Sequence, residues 1–166
     1  MPSSYTAPGL EEAEASKVRD ALQNRLVALL DTQLTLKHIH WNVVGPNFIG
    51  VHEMIDPQYD AVAAMVDTVA ERIAILGGQP LGTPGAVVEG RTWADYKLNR
   101  ALTHEHLAAL DHVYIGLIED HRKAIKIAGD IDPVSEDLLI GQTNQLELFH
   151  WFVRAHLEDR SGNISS

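Results

Sequence analysis

The sequence predicts an all-α protein: a four-helix bundle whose second and third helices are joined by a long crossover carrying a short extra helix. Three observations predict it. Apolar residues recur at helical spacing along almost the whole chain. Alternating, turn-bounded runs of the strand type are scarce. Helix breakers gather in one internal stretch, which leaves two periodic segments before it and two after it.

The first helix is predicted over Glu11 to Asn42, where Val18, Leu22, Leu26, Leu29, Leu30 and Leu34 mark a buried stripe and Val43-Val44-Gly45-Pro46 ends it. The second opens at Asn47, a capping residue type, and runs to Leu76 before Gly77-Gly78 stops it. Pro57 lies inside it and should loosen the hydrogen-bond ladder just after Asp56. From Gln79 to Gly90 the prolines and glycines predict a loop, followed by the short extra helix over Thr92 to Leu98. The third helix is predicted over Arg100 to Ala128. The fourth starts where Asp132 can cap and Pro133 can occupy the first turn, and its apolar period runs through Leu139, Leu146, Phe149 and Phe152. Residues 11 to 158 thus form one domain between two short tails, 1 to 10 and 159 to 166.

A chain of 166 residues can enclose a substantial core without covalent staples. It has no cysteine, which excludes a disulfide framework and a thiolate metal site. Thirteen Lys and Arg against 23 Asp and Glu give a formal charge of −10, which disfavours nucleic acid over the whole surface and favours cations. Met1 to Leu10 has neither the basic nor the apolar region of a secretory signal, and no stretch approaches a membrane span. A soluble, unexported protein is expected.

The chemistry concentrates in the second helix. His52 and Asp56 are four residues apart, as are Asp67 and Glu71, so each pair shares a helix face. At about 100° per residue, Asp67 falls about 20° beyond three turns from Asp56, so the four groups lie in one stripe. An ordinary wet helix face would also produce a polar stripe. This one contains no lysine, has Arg72 as its only basic neighbour, and offers imidazole with carboxylate, a ligand set suited to first-row divalent metals. Asp56 and Asp67 are separated by a rise of about 16 Å, too far to close on one ion within one helix. A second copy packed antiparallel across a two-fold axis would bring the His52/Asp56 end of one against the Asp67/Glu71 end of the other. His40, near the end of the first helix, can join His52 after the turn at Gly45-Pro46.

Other groups have plainer accounts. Glu147-x-x-His150 has the spacing of di-iron carboxylate bundles, which need two such motifs, and only one is present. His104 and His106, with Asp111-His112, read as solvated positions. Asp130, Asp132, Glu136 and Asp137 suit the positive end of the fourth helix.

The run Lys37-His-Ile-His-Trp-Asn42, then Gly45-Pro-Asn-Phe-Ile-Gly-Val-His-Glu-Met-Ile-Asp56, then Asp67-Thr-Val-Ala-Glu-Arg72 and Leu76-Gly-Gly78 resembles the Dps family of bacterial mini-ferritins over residues 10 to 158. The resemblance implies a ferritin-like four-helix bundle that assembles into a hollow homo-dodecamer. Such a shell oxidises Fe2+, preferentially with hydrogen peroxide over oxygen, and keeps the ferric mineral inside. It implies that His40, His52 and Asp56 of one subunit and Asp67 and Glu71 of its two-fold mate form the iron-binding, catalytic site. It also places Trp41 near that site, although core packing is the plainer account of Trp41. It assigns acidic residues around Asp132, Glu136 and Asp137, the last matching best, to three-fold pores that admit iron. A cytoplasmic or nucleoid-associated location goes with the family. The rival reading is a DNA-compacting nucleoid protein. Family members bind DNA through tails rich in Lys or Arg, whereas Met1 to Leu10 has neither and the last residues offer only Arg160, so no DNA-binding residues are assigned.

Overall fold

The computed structural model describes residues 5–158. The predicted C-terminal tail, 159 to 166, and residues 1–4 lie outside them. Among the described residues the elements run α1 (Glu12–Asn42), β1 (Val43–Val44), α2 (Phe48–Ile75), α3 (Pro84–Gly90), β2 (Ala101–Leu102), α4 (Thr103–Gly129) and α5 (Pro133–Leu157). The long helices pair as two hairpins, α1 with α2 and α4 with α5, and α1 lies along α4 to close the bundle. Leu22, Leu26, Leu29, Leu36 and Ile39 of α1 meet Ile55, Val62, Met65 and Val69 of α2 in a buried core completed by Leu110, Leu117, Leu139 and Leu146. Burying apolar side chains of this size stabilises the fold by roughly 1.5–3 kcal/mol each. Leu34 departs from the predicted stripe and is 67% exposed, since the helical period carries it past the α2 contact.

The helix ends follow their local chemistry. Gly77 adopts φ +81°, its N–H bonds Ala74 O at 2.9 Å, and Gly78 N–H bonds Ile73 O at 2.9 Å. These two bonds form a Schellman closure of α2. The predicted N-terminal tail is partly pinned there: a Cβ on Gly77 would stand 1.5 Å from the Tyr5 carbonyl oxygen. Asn47 takes the capping position of α2 but in the left-handed region, at φ 60°, and its side chain makes no capping bond. Asp132 caps α5 as expected, accepting from Val134 N–H at 3.3 Å.

The crossover corrects the sequence reading. The short helix lies at Pro84–Gly90, inside the stretch read as a loop, and Thr92 to Leu98 is not helical. Thr83 caps α3 by accepting from Ala86 N–H at 3.3 Å, and Pro84 fits its first turn. Gly90 allows α3 to lie close on α1, where a Cβ would come 3.0 Å from Val27. Residues 92–98 are instead held by side chains. Arg91 bonds Asp31 (3.1 Å) and Asp95 (2.7 Å), Trp93 Nε1 donates to Asp31 at 2.7 Å, and Tyr96 OH lies 2.8 Å from His106 Nδ1. The strap ends in β2, which pairs parallel with β1, Val43 against Ala101 and Val44 against Leu102. That pairing keeps Ala101 and Leu102 out of α4, which therefore starts later than predicted.

Candidate metal centre

β1 and Gly45, at φ +96°, turn the chain so that the end of α1 lies against the start of α2. His40 and His52 meet there with rings stacked, centroids 3.6 Å apart and 25° between planes. Each donates from Nδ1 to the other's backbone: His40 to His52 O at 3.0 Å, His52 to His40 O at 2.9 Å. A nitrogen facing a carbonyl oxygen must carry the hydrogen, so both neutral rings keep the lone pair on Nε2, as a metal ligand requires. Asp56, one turn beyond His52, brings Oδ1 to 3.2 Å from His40 Nδ1. Three of the five predicted residues therefore come together at one end of α2.

The carboxylate there is not uncompensated. Lys37, one turn before His40 on α1, donates to Asp56 Oδ1 at 2.6 Å, with its ammonium 4.9 Å from the centre of the Tyr59 ring. That hydrogen bond, opposed by desolvation and aided by the neighbouring imidazoles, holds the Asp56 carboxyl below its ordinary range. The second-helix stripe carries no lysine of its own, and the basic partner comes from the first helix, nineteen positions earlier.

Asp67 and Glu71 stand exposed on α2, about 16 Å further along the axis by helical rise. Among the described residues no group of three or more His, Asp or Glu closes a metal cage within one chain. Arg72, the expected basic neighbour, turns away to α5, with Nη2 on Asp132 at 2.6 Å and Nε on Ser135 Oγ at 2.9 Å. Among the described residues the Asp67/Glu71 pair is left with no basic partner.

Trp41 is 72% exposed, so core packing does not account for it; it stands beside His40 on the open side of α1. Asp132 is 3% exposed, and its carboxylate is taken up by Val134 N–H, Ser135 and Arg72. Hydrogen bonds from these partners keep its carboxyl below the usual range despite burial. Glu136 lies against Gly129, and Asp137 is exposed. Glu147 pairs with Arg122 and His150 with Asp111 at 2.7 Å, so the Glu-x-x-His spacing builds no shared site. His106, expected in solvent, is buried against Tyr96.

No helix among the described residues is long and apolar enough to cross a membrane. The sequence matches the ferritin-like domain family over residues 19–161. It is 58% identical over 163 residues to the DNA protection during starvation protein of Mycolicibacterium smegmatis, covering 98% of this chain and 89% of that one. It is 49% identical over 160 residues to the fine tangled pili major subunit of Haemophilus ducreyi, covering 96% and 85%. The fold superposes on the tetragonal form of Mycobacterium smegmatis Dps with a TM-score of 0.97, at 57% identity and 99% coverage of both chains. On the family match, the sequence identity and the shared fold, the chain belongs to the Dps family of ferritin-like proteins.

Proposed function

We propose that this chain is a ferroxidase subunit of a hollow homo-dodecamer that oxidises Fe2+ and stores the ferric product, protecting the cell from iron-driven oxidative damage. The observation that supports the reading is a site divided in two. His40, His52 and Asp56 gather at one end of α2 with both Nε2 lone pairs free, while the exposed, unneutralised Asp67 and Glu71 stand about 16 Å away. Two antiparallel copies related by a two-fold axis would complete each half with the other. Iron is the substrate. The imidazoles suit Fe2+, the harder carboxylates favour Fe3+, and an exposed half-site leaves the oxidant access to the metal. With hydrogen peroxide the balance is two Fe2+, one H2O2 and two protons to two Fe3+ and two waters, and oxygen is the slower oxidant in this reading. On arrival the metal takes Asp56 from Lys37, whose ammonium stays over Tyr59.

For iron admission we favour Glu136 and Asp137 near the start of α5, since Asp132 is already engaged as cap and ion-pair partner. DNA compaction is no part of the proposal: the charge of −10 repels phosphate, and Met1 to Leu10 lacks Lys and Arg. The protein would act in the cytoplasm. Anaerobic Fe2+ loading followed by hydrogen peroxide tests the site. Wild type should develop ferric absorbance more than about tenfold faster than the His52→Ala plus Asp67→Ala variant. Equal rates would refute the assignment.

A further inference from the structure

α1 and α4 meet along small side chains, Ala28 and Thr32 facing Ala109 and Gly116, and a cavity of about 370 Å3 remains between them, roofed by the strap from Trp93 to Lys97. The helices run antiparallel here, since Val43 at the end of α1 pairs with Ala101 before α4 while Arg25 reaches Leu117 and Asp120. The lining positions on α1 run from Arg25 to Thr35, about 15 Å of helix, so the cavity is an elongated slot with a mean cross-section of about 25 Å2. That is room for one extended alkyl chain and too narrow for a fused ring system lying across it. Its volume is at the small end of the usual ligand-site range.

The slot's walls are mostly apolar; Arg25 and Asp120 stand at one end, and Asp31, Asp95 and Lys97 line its middle and roof. Arg25 is 1% exposed, yet its guanidinium reaches Leu117 O and His121 Nδ1 only at 3.4 Å and Asp120 at 3.5 Å, with Asn24 as its one close partner. Asp120 is drawn the other way, by Lys123 at 2.7 Å. A guanidinium has five N–H donors, and a buried cation so loosely paired favours a further acceptor. Asp31, midway along the slot, is already satisfied by Arg91 and Trp93 in the roof. At the far end Thr35 is 8% exposed and its hydroxyl has no partner among the described residues.

We propose that this slot binds a linear amphiphile with an anionic head, a medium-chain alkyl carboxylate, with the head on Arg25 and the chain lying between α1 and α4 beneath Trp93. A chain of about ten to twelve carbons spans the distance from Arg25 to Thr35. The binding does not depend on iron chemistry and lies apart from His40, His52 and Asp56.

Calorimetric titration of the assembled protein with dodecanoate, below its micelle concentration, tests the proposal, with dodecanol and dodecylammonium as comparisons. Saturation near one dodecanoate per chain is expected, with the other two binding at least about tenfold more weakly, because only the carboxylate pairs with Arg25. Gly116→Leu fills the slot without disturbing the fold, since nothing lies within 4 Å of a Cβ built there and the helix gains a better former. It should weaken dodecanoate by at least about tenfold while the melting temperature is kept. The proposal is overturned if dodecanoate does not saturate near one per chain, if dodecanol or dodecylammonium binds as tightly, or if Gly116→Leu binds it unchanged.

Discussion

At His40 and His52 a pair of reciprocal backbone bonds does two tasks at once: it ties α1 to α2 and sets which ring nitrogen is free. His121 is the opposite kind of histidine. It is fully buried, and desolvation with Arg25 beside it depresses its pKa to about 4. The unfolded chain protonates the same ring near its ordinary value of about 6.5, so between there and about pH 4 it binds a proton that the folded chain refuses. Stability from this group is therefore full above about pH 6.5 and is lost as the pH falls, by about 3 kcal/mol in all. Urea unfolding at pH 7 and pH 4.5 should show this loss in the wild type and a flatter dependence in His121→Leu. An unchanged slope in the variant would assign the acid sensitivity to other groups.

Among the elements, α2 and α5 are joined by a buried ion pair, Arg72 with Asp132, and by Gln142, which donates to Met65 O and Thr68 Oγ1. Asp132 serves as the cap of α5 and as the partner of Arg72, so Asp132→Ala removes a capping acceptor and strands a guanidinium. A loss of about 3–5 kcal/mol is expected from the broken pair. Asp137→Ala, on the exposed face of the same helix, should stay within about 0.5 kcal/mol. Thermal melts of both variants decide this, and a similar small shift in the two would mean that the pair contributes little. The crossover makes a related point. The Thr83-Pro84 start is a better helix signal than the apolar content of Thr92 to Leu98, because the cap satisfies backbone donors locally. The later segment places its side chains on Asp31 and His106 instead.

For the whole molecule, the single chain leaves large apolar side chains in water: Leu34, Trp41, Ile75, Leu81 and Val88 among them. Exposed apolar surface on this scale is what an assembling subunit carries into its interfaces. A shared site also makes a prediction that an intrachain site does not. His52→Ala and Asp67→Ala subunits, each inactive alone, should regain iron oxidation when unfolded and reassembled together. In a mixed pair one site collects both lesions and the other keeps all five residue types. Stopped-flow absorbance after peroxide addition measures the recovery. A mixture as inactive as its components would mean that both residues serve one chain.

The sequence by itself determined the helix count and most of the helix ends, and it singled out the five residues proposed to bind metal, since periodicity, caps and breakers act over a few residues. It also indicated that one helix could not close the site, because a rise per residue is a property of any helix. The tertiary structure alone decided that Lys37 sits on Asp56, that Arg72 serves α5 and not the Asp67/Glu71 pair, and that Asp132 is buried. It also decided that the segment after Gly90 is strapped down onto Asp31. Each of these joins residues from 19 to more than 60 positions apart, such as Lys37 with Asp56 and Trp93 with Asp31. Contacts of that kind depend on how helices pack against one another, and local spacing does not encode them.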